Sequence, residues 1–176
     1  MSGLETQLVC WFYAFVFAVA VQHKLSQWHR FRASVSAYDI VPDQLLTGFI
    51  GLLIVLEVVV VASLVFVQAV GLFLAGILLT VYFIAIAINM GRGRGFIDCG
   101  CGDEPTPLSV ILLGRNLLLM VVAFSTFYLG LWVGSKEMIA GLVVLSIVMI
   151  AGGLYLTLDQ LLVNQGKYRR LWLGEL

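Results

Sequence analysis

The sequence predicts an all-α fold, a polytopic transmembrane helical bundle with five spans. Three observations carry this expectation. The chain of 176 residues is 61% hydrophobic and 11% charged, against about 25% charged in a soluble domain. Its mean hydropathy is +1.05, so the polar surface of a water-facing protein is missing and most apolar side chains must face lipid. Apolar runs also recur at the length a bilayer demands, since a hydrocarbon core of about 30 Å takes roughly 20 helical residues.

The runs lie at about 4–21, 45–67, 69–89, 108–133 and 139–162. The first follows Ser2 and Gly3 with no basic residue before it, which predicts a retained helix rather than a signal peptide; no lipidation motif is visible at either end. Gln68 is the strongly polar residue between the second and third runs, so these form a tight antiparallel hairpin. Gly134-Ser135-Lys136-Glu137 joins the fourth and fifth in the same way. The stretch 22–44 is amphipathic: Trp28, Phe31, Val35 and Tyr38 recur at three- or four-residue spacing among His29, Arg30, Arg32 and Asp39. That pattern suits a helix lying in the membrane interface. Val41-Pro42 restricts the backbone and opens the second span. The other long connection, 91–107, carries two cysteines. Thr106-Pro107 closes it with an N-cap residue and a first-turn proline for the fourth helix.

Basic residues set the expected orientation. With five spans, the stretch 22–44, the cysteine loop and the C-terminal tail share one side, which holds Lys24, Arg30, Arg32, Arg92, Arg94, Lys167, Arg169 and Arg170. The other side holds Lys136. This bias predicts the N-terminus outside, the C-terminus inside and the cysteine loop at the cytoplasmic face. Net charge is zero, so no global field points to nucleic acid. The expected partner of the tail Lys167-Tyr168-Arg169-Arg170 is lipid headgroup, and Trp11, Trp28, Trp132 and Trp172 are interface anchors. Gly130 and Gly134 match GxxxG, but at a helix end this is a weak dimerisation signal.

Three cysteines exclude a disulfide-rich scaffold. Cys10, inside the first span, is a small apolar residue in this reading. Cys99-Gly100-Cys101 is different. An i,i+2 pair in a turned loop falls within the Cα separation of about 4.4–6.8 Å that a disulfide allows. The ring it closes is small, and strained disulfides are the labile ones. Arg92, Arg94 and the positive end of the fourth helix favour thiolate, whereas Asp98, Asp103 and Glu104 oppose it, which leaves the thiol acidity open. Two thiolates beside Asp and Glu also suit a soft metal ion, although a second Cys or His pair at zinc spacing is absent. An inert pair in a Gly-rich turn is the third reading.

Glu57 lies near the middle of the second span and Arg115 about two turns inside the fourth. Each costs about 2.5–3.5 kcal/mol at depth if left alone, so they are expected to pair across the bundle. Such a pair either only fixes helix register or makes a polar floor beneath the cysteine loop, able to hold a proton or a quinone oxygen, with Asn116 and Asn89 adding hydrogen bonds. His23, Lys24 and His29 follow the first span. The plain reading is interfacial polar residues at a helix end; the functional one is stabilisation of a thiolate or donation to a quinone carbonyl.

The run 89–119, NMGRGRGFIDCGCGDEPTPLSVILLGRNLLL, resembles the MauE family of methylamine utilisation, within the wider DoxX-like group of small redox-associated membrane proteins. The likeness is carried by Gly91-Arg92-Gly93-Arg94, Asp98-Cys99-Gly100-Cys101-Gly102 and Arg115-Asn116-Leu117-Leu118-Leu119. Lys24-Leu25, Tyr38 to Pro42 and Glu57 resemble the group's first half, and the resemblance covers about residues 10–125. Many relatives have an aromatic residue after the second cysteine, as in CGCFG, where this chain continues with Gly102-Asp103.

The resemblance implies a four-helix DoxX-like core plus a fifth C-terminal span, in the bacterial cytoplasmic membrane. It implies a role in maturing the methylamine dehydrogenase small subunit, a disulfide-rich periplasmic client, beside a thioredoxin-like partner of the MauD type. Cys99 and Cys101 would be the catalytic thiols of a thiol–disulfide oxidoreductase. Glu57, Arg115, Asn116, His23 and Lys24 would support them, and no metal is expected. Quinone is the candidate cofactor, near Arg115, His23 and His29. Two alternatives stand beside this: a non-enzymatic adaptor docking partner and client, and a metal-binding membrane protein using the Cys-Gly-Cys loop. The periplasmic client and the cytoplasmic placement from the basic residues point to opposite faces.

Overall fold

The computed structural model describes residues 3–94, 97–98 and 108–128, with side chains from residue 6 onward. Among these residues it forms five helices: α1 (Gly3–Ser26), α2 (Trp28–Ala37), α3 (Asp43–Phe66), α4 (Gln68–Gly91) and α5 (Val110–Tyr128). Among the described residues there is no strand pairing beyond an isolated bridge position at Asp98. Four of the helices, α1 from Thr6 onward, α3, α4 and α5, are long and apolar enough to cross a membrane. The expected span 139–162 lies outside the described residues. So do the end of the fourth span beyond Tyr128, Gly130 to Glu137, Trp132, Trp172 and the basic tail. Cys99, Cys101 and the Thr106-Pro107 cap lie outside them as well.

Helix α1 packs along α3, α3 along α4 and α4 along α5, while α1 also touches α4 and α5. This closes a four-helix bundle. Its interior is built from stripes at helical spacing. On α3 the buried residues are Leu46, Ile50, Leu53, Ile54, Glu57, Val60 and Leu64, which recur every three or four positions and so form one face. Tyr13 and Phe17 of α1 and Ala123 of α5 meet that face in the same core. The Tyr13 hydroxyl donates to the Leu119 carbonyl and ties α1 to α5. The opposite faces stay apolar, with Leu52, Val55, Val59, Ile84 and Leu118 exposed. That is the distribution expected where the solvent is hydrocarbon.

A single residue, Val67, separates α3 from α4. Its N–H donates to the Ser63 carbonyl at 2.7 Å. Gly71 makes this hairpin possible: a Cβ there would sit 2.4 Å from the Leu64 backbone nitrogen, closer than atoms can approach.

Two boundaries differ from the sequence expectation. Helix α1 runs to Ser26 rather than stopping near residue 21, because the charge of Lys24 is satisfied inside the bundle. Between 22 and 44, α2 takes the middle and buries Phe31 and Ser34, with Trp28 and Val35 half-buried against the core and His29 and Arg32 exposed. It packs on α3 and on the end of α1. Pro42, with φ −58° and ψ 142°, occupies the N-cap position of α3.

A second, smaller core lies at this end of the bundle, where Ile86, Ile97, Leu108 and Leu112 pack with Tyr38, Met90 and Leu113. Gly93 turns the chain out of α4 with a φ of +74°, a left-handed conformation that glycine adopts without strain. The Leu108 N–H then donates to the Ile97 carbonyl at 3.1 Å. The residues on either side of the cysteine stretch are thereby held together.

Candidate functional site

Three helices each place one polar side chain at the same point inside the bundle. Lys24 of α1 lies seven residues beyond Phe17, two turns along the same buried stripe. Glu57 occupies the buried stripe of α3. Tyr82 lies on α4, four residues before buried Ile86 and seven before buried Asn89. The Lys24 ammonium and the Glu57 carboxylate form a hydrogen-bonded ion pair. The Tyr82 hydroxyl donates to the same carboxylate oxygen, Oε1, at 2.7 Å. It accepts from Lys24 Nζ at 3.2 Å.

The site is buried and walled by rings. Glu57 is 0% exposed and Lys24 3%. The ammonium lies 5.2 Å from the Phe31 ring centroid and 4.9 Å from that of Tyr82, within the range where an aromatic face attracts a cation. Charges taken out of water persist only when paired and hydrogen-bonded. Lys24 and Glu57 meet that condition on one side. On the other, Glu57 Oε2 has no hydrogen-bond partner among the described residues.

The second polar group lies at the base of the cysteine stretch. Arg30 of α2 donates through Nε to Asp98 Oδ2 at 2.8 Å and through Nη1 to Gln27 Oε1 at 2.8 Å. Asp98 immediately precedes Cys99. Arg94 reaches Asp39 at 3.2 Å, and Arg92 donates to the carbonyls of Tyr38 and Asp39. The turn after α2 is thus docked onto the segment that leaves α4.

These contacts revise the expected site. Glu57 does have a buried counter-ion, but it is Lys24, with Tyr82 in support, rather than Arg115. Arg115 is half-buried on α5. The amides of Asn89 and Asn116 donate to their own helices, to the Ala85 and Leu112 carbonyls at 3.0 Å each, and make no polar floor with Glu57. His23 is half-buried beside Lys24 in the chain, and His29 is exposed. Cys99 and Cys101 fall outside the described residues, and Cys10 is buried in α1. Tyr82 and Arg30 are site residues that the sequence pattern does not single out. The signal for Tyr82 is a lone hydroxyl-bearing ring on the buried stripe of a lipid-length helix. Arg30 carries no signal beyond its charge.

The chain is similar in sequence to known proteins. A family model described as methylamine utilisation protein MauE matches residues 4–133. The chain is 34% identical over 124 residues to the methylamine utilization protein MauE of Methylophilus methylotrophus, covering 68% of this chain and 64% of that protein. To the MauE protein of Paracoccus denitrificans it is 34% identical over 119 residues, covering 65% and 63%. A shorter match of 54 residues at 46% identity links it to the MauE protein of Methylorubrum extorquens. The matched region thus spans slightly less than two thirds of the length of the first two relatives. No solved structure matches the chain.

Proposed function

The chain belongs to the MauE family, and on that premise we propose that it is a thiol–disulfide redox protein of the bacterial cytoplasmic membrane serving methylamine utilisation. Cys99 and Cys101 are its exchanging pair. The client is the methylamine dehydrogenase small subunit, reached through a thioredoxin-like partner of the MauD type. In the delivering step a partner thiolate attacks the Cys99–Cys101 disulfide and a mixed disulfide forms. The partner's second thiolate resolves it, so the partner leaves oxidised and the pair is left as two thiols. In the renewing step the two thiols lose two electrons and two protons and join as a disulfide. A membrane quinone would supply the two-electron, two-proton acceptor for this step.

The observation that supports this reading is the Arg30–Asp98 ion pair at 2.8 Å. A carboxylate next to Cys99 opposes thiolate formation, and a guanidinium bound to that carboxylate offsets it. The same contact fixes the residue before Cys99 to α2, as exchange with a docked partner requires.

A periplasmic client calls for the cysteine stretch at the periplasmic face, and we adopt that orientation against the count of basic residues. Four of the five basic residues described between Lys24 and Arg94 have a local use: Lys24 pairs with Glu57, Arg30 with Asp98, Arg94 with Asp39, and Arg92 binds backbone carbonyls. Local contacts therefore offer a second reason, beside topology, for basic residues at this end.

The test is complementation of client maturation. Cys99→Ser and Cys101→Ser should each abolish it while leaving the protein inserted at its normal level. Full client activity with the double serine variant would overturn the redox reading in favour of an adaptor. Stoichiometric metal bound through both thiols would overturn it in favour of a metal site.

A further inference from the structure

Between α2, the first half of α3 and the second half of α4 lies a cavity of about 260 Å³. Phe31 and Ser34 line it from α2, Phe49 and Leu53 from α3, and Tyr82 and Ala85 from α4, with Lys24 among its walls. We propose that this cavity is the binding site of a membrane quinone, whose ring carbonyl takes a hydrogen bond from the Lys24 ammonium. The proposal deepens the redox reading above, and rests on it, by assigning a place to the electron acceptor.

Four features select this occupant. The walls are almost wholly apolar, and two of them, Val81 and Ile84, belong to the exposed face of a helix long enough to cross a membrane. A ligand therefore enters sideways from lipid. The volume falls below the roughly 300 Å³ at which drug-sized sites begin, so the cavity takes one ring and the start of a tail. The polar end is already neutral. Glu57 balances Lys24, and an anionic headgroup would leave one buried charge uncompensated. The head must therefore be neutral and must accept a hydrogen bond. Of the three N–H groups of Lys24, one is on Glu57 and one on Tyr82, which leaves the third for a carbonyl oxygen. Finally, Phe31 and Tyr82, whose rings flank the ammonium, also line the cavity, so a ring held by the ammonium lies against aromatic side chains.

The cavity also adjoins the cysteine stretch. Tyr38 and Ile86 line it, and the same two residues pack against the cluster holding Ile97 and Leu108. One wall thus separates the proposed ring site from the anchors on either side of Cys99 and Cys101. None of Arg115, His23 and His29, where the sequence placed a quinone, lines the cavity.

The experiment measures binding of decylubiquinone to the purified protein in nanodiscs, by ligand-induced thermal stabilisation, with palmitate as the anionic comparison. The Cys99→Ser/Cys101→Ser background is used, so no thiol chemistry takes part. Saturable binding is expected. Ala85→Phe, which fills the cavity from α4, should weaken it at least about tenfold, as should Ser34→Leu from the α2 wall. Tyr82→Phe, which keeps the ring and its packing, should weaken it about fivefold through the loosened ammonium. Equal affinity in both filling variants, no saturable binding, or displacement of the quinone by palmitate at equal concentration would each overturn the assignment. Such a failure leaves the thiol reading standing. Full client maturation without the cysteines would overturn the thiol reading and leave the binding result untouched.

Discussion

Arg30 on α2 holds Asp98 at 2.8 Å, across 68 residues of sequence, and Asp98 is the residue before Cys99. The pair is only partly shielded, with side chains 27% and 19% exposed. Partly exposed ion pairs contribute at most about 1 kcal/mol to stability. Arg30→Ala should therefore leave thermal stability within about 1 kcal/mol of the parent while slowing thiol exchange and client maturation. Arg30→Lys keeps the charge but loses the fork geometry, and should rescue in part. Equal loss of fold and activity would show that Arg30 is simply structural.

The Lys24–Glu57 pair behaves in the opposite way because it is buried. Lys24→Met or Glu57→Met alone leaves one charge without a partner and should cost about 3–5 kcal/mol. The double change Lys24→Met/Glu57→Met removes both charges and should recover most of that loss. Reversible unfolding in mixed micelles of the four proteins closes this cycle. Additive losses would mean that the two side chains do not act as a pair.

Gly71 and Gly48 give a contrast within the membrane helices. Gly71→Ala places a methyl against the Leu64 backbone and should destabilise by about 1–3 kcal/mol. A Cβ at Gly48 meets nothing within 4 Å, and Gly48→Ala should stabilise α3 by about 0.5–1 kcal/mol. Thermal unfolding of the two variants checks both signs.

The orientation adopted above predicts which face exposes the thiols. An impermeant maleimide added to intact cells should label Cys99 or Cys101 from the periplasm. Cys10 is buried in α1 and contributes little signal; a Cys10→Ala background removes it. Labelling only after the inner face is opened would restore the orientation that the basic residues indicate.

The four long apolar helices among the described residues were legible because hydropathy is a local property and bilayer thickness sets its window. The end of α1 was not, because Lys24 interrupts that window while its partner lies 33 residues away. The need of Glu57 for a counter-ion was legible from its depth alone. The identity of the partner was not: two cations were on offer, and Arg115, inside a span, looked deeper than Lys24, near a helix end. Helical register decides between them, since Lys24 continues the stripe of Tyr13 and Phe17. Tyr82 escaped notice because a tyrosine in an apolar helix blends with the aromatic residues around it. The docking of Arg30 on Asp98 depends on how α2 folds back, which no periodicity in the sequence encodes.

The hydrogen bond from Leu108 to Ile97 has a mutational consequence. It fixes both ends of the ten residues from 98 to 107, and the apolar cluster beneath locks α4 and α5 in register whatever lies between. Substitutions between residues 98 and 107 therefore leave the packing of α4 against α5 to be set by the residues on either side.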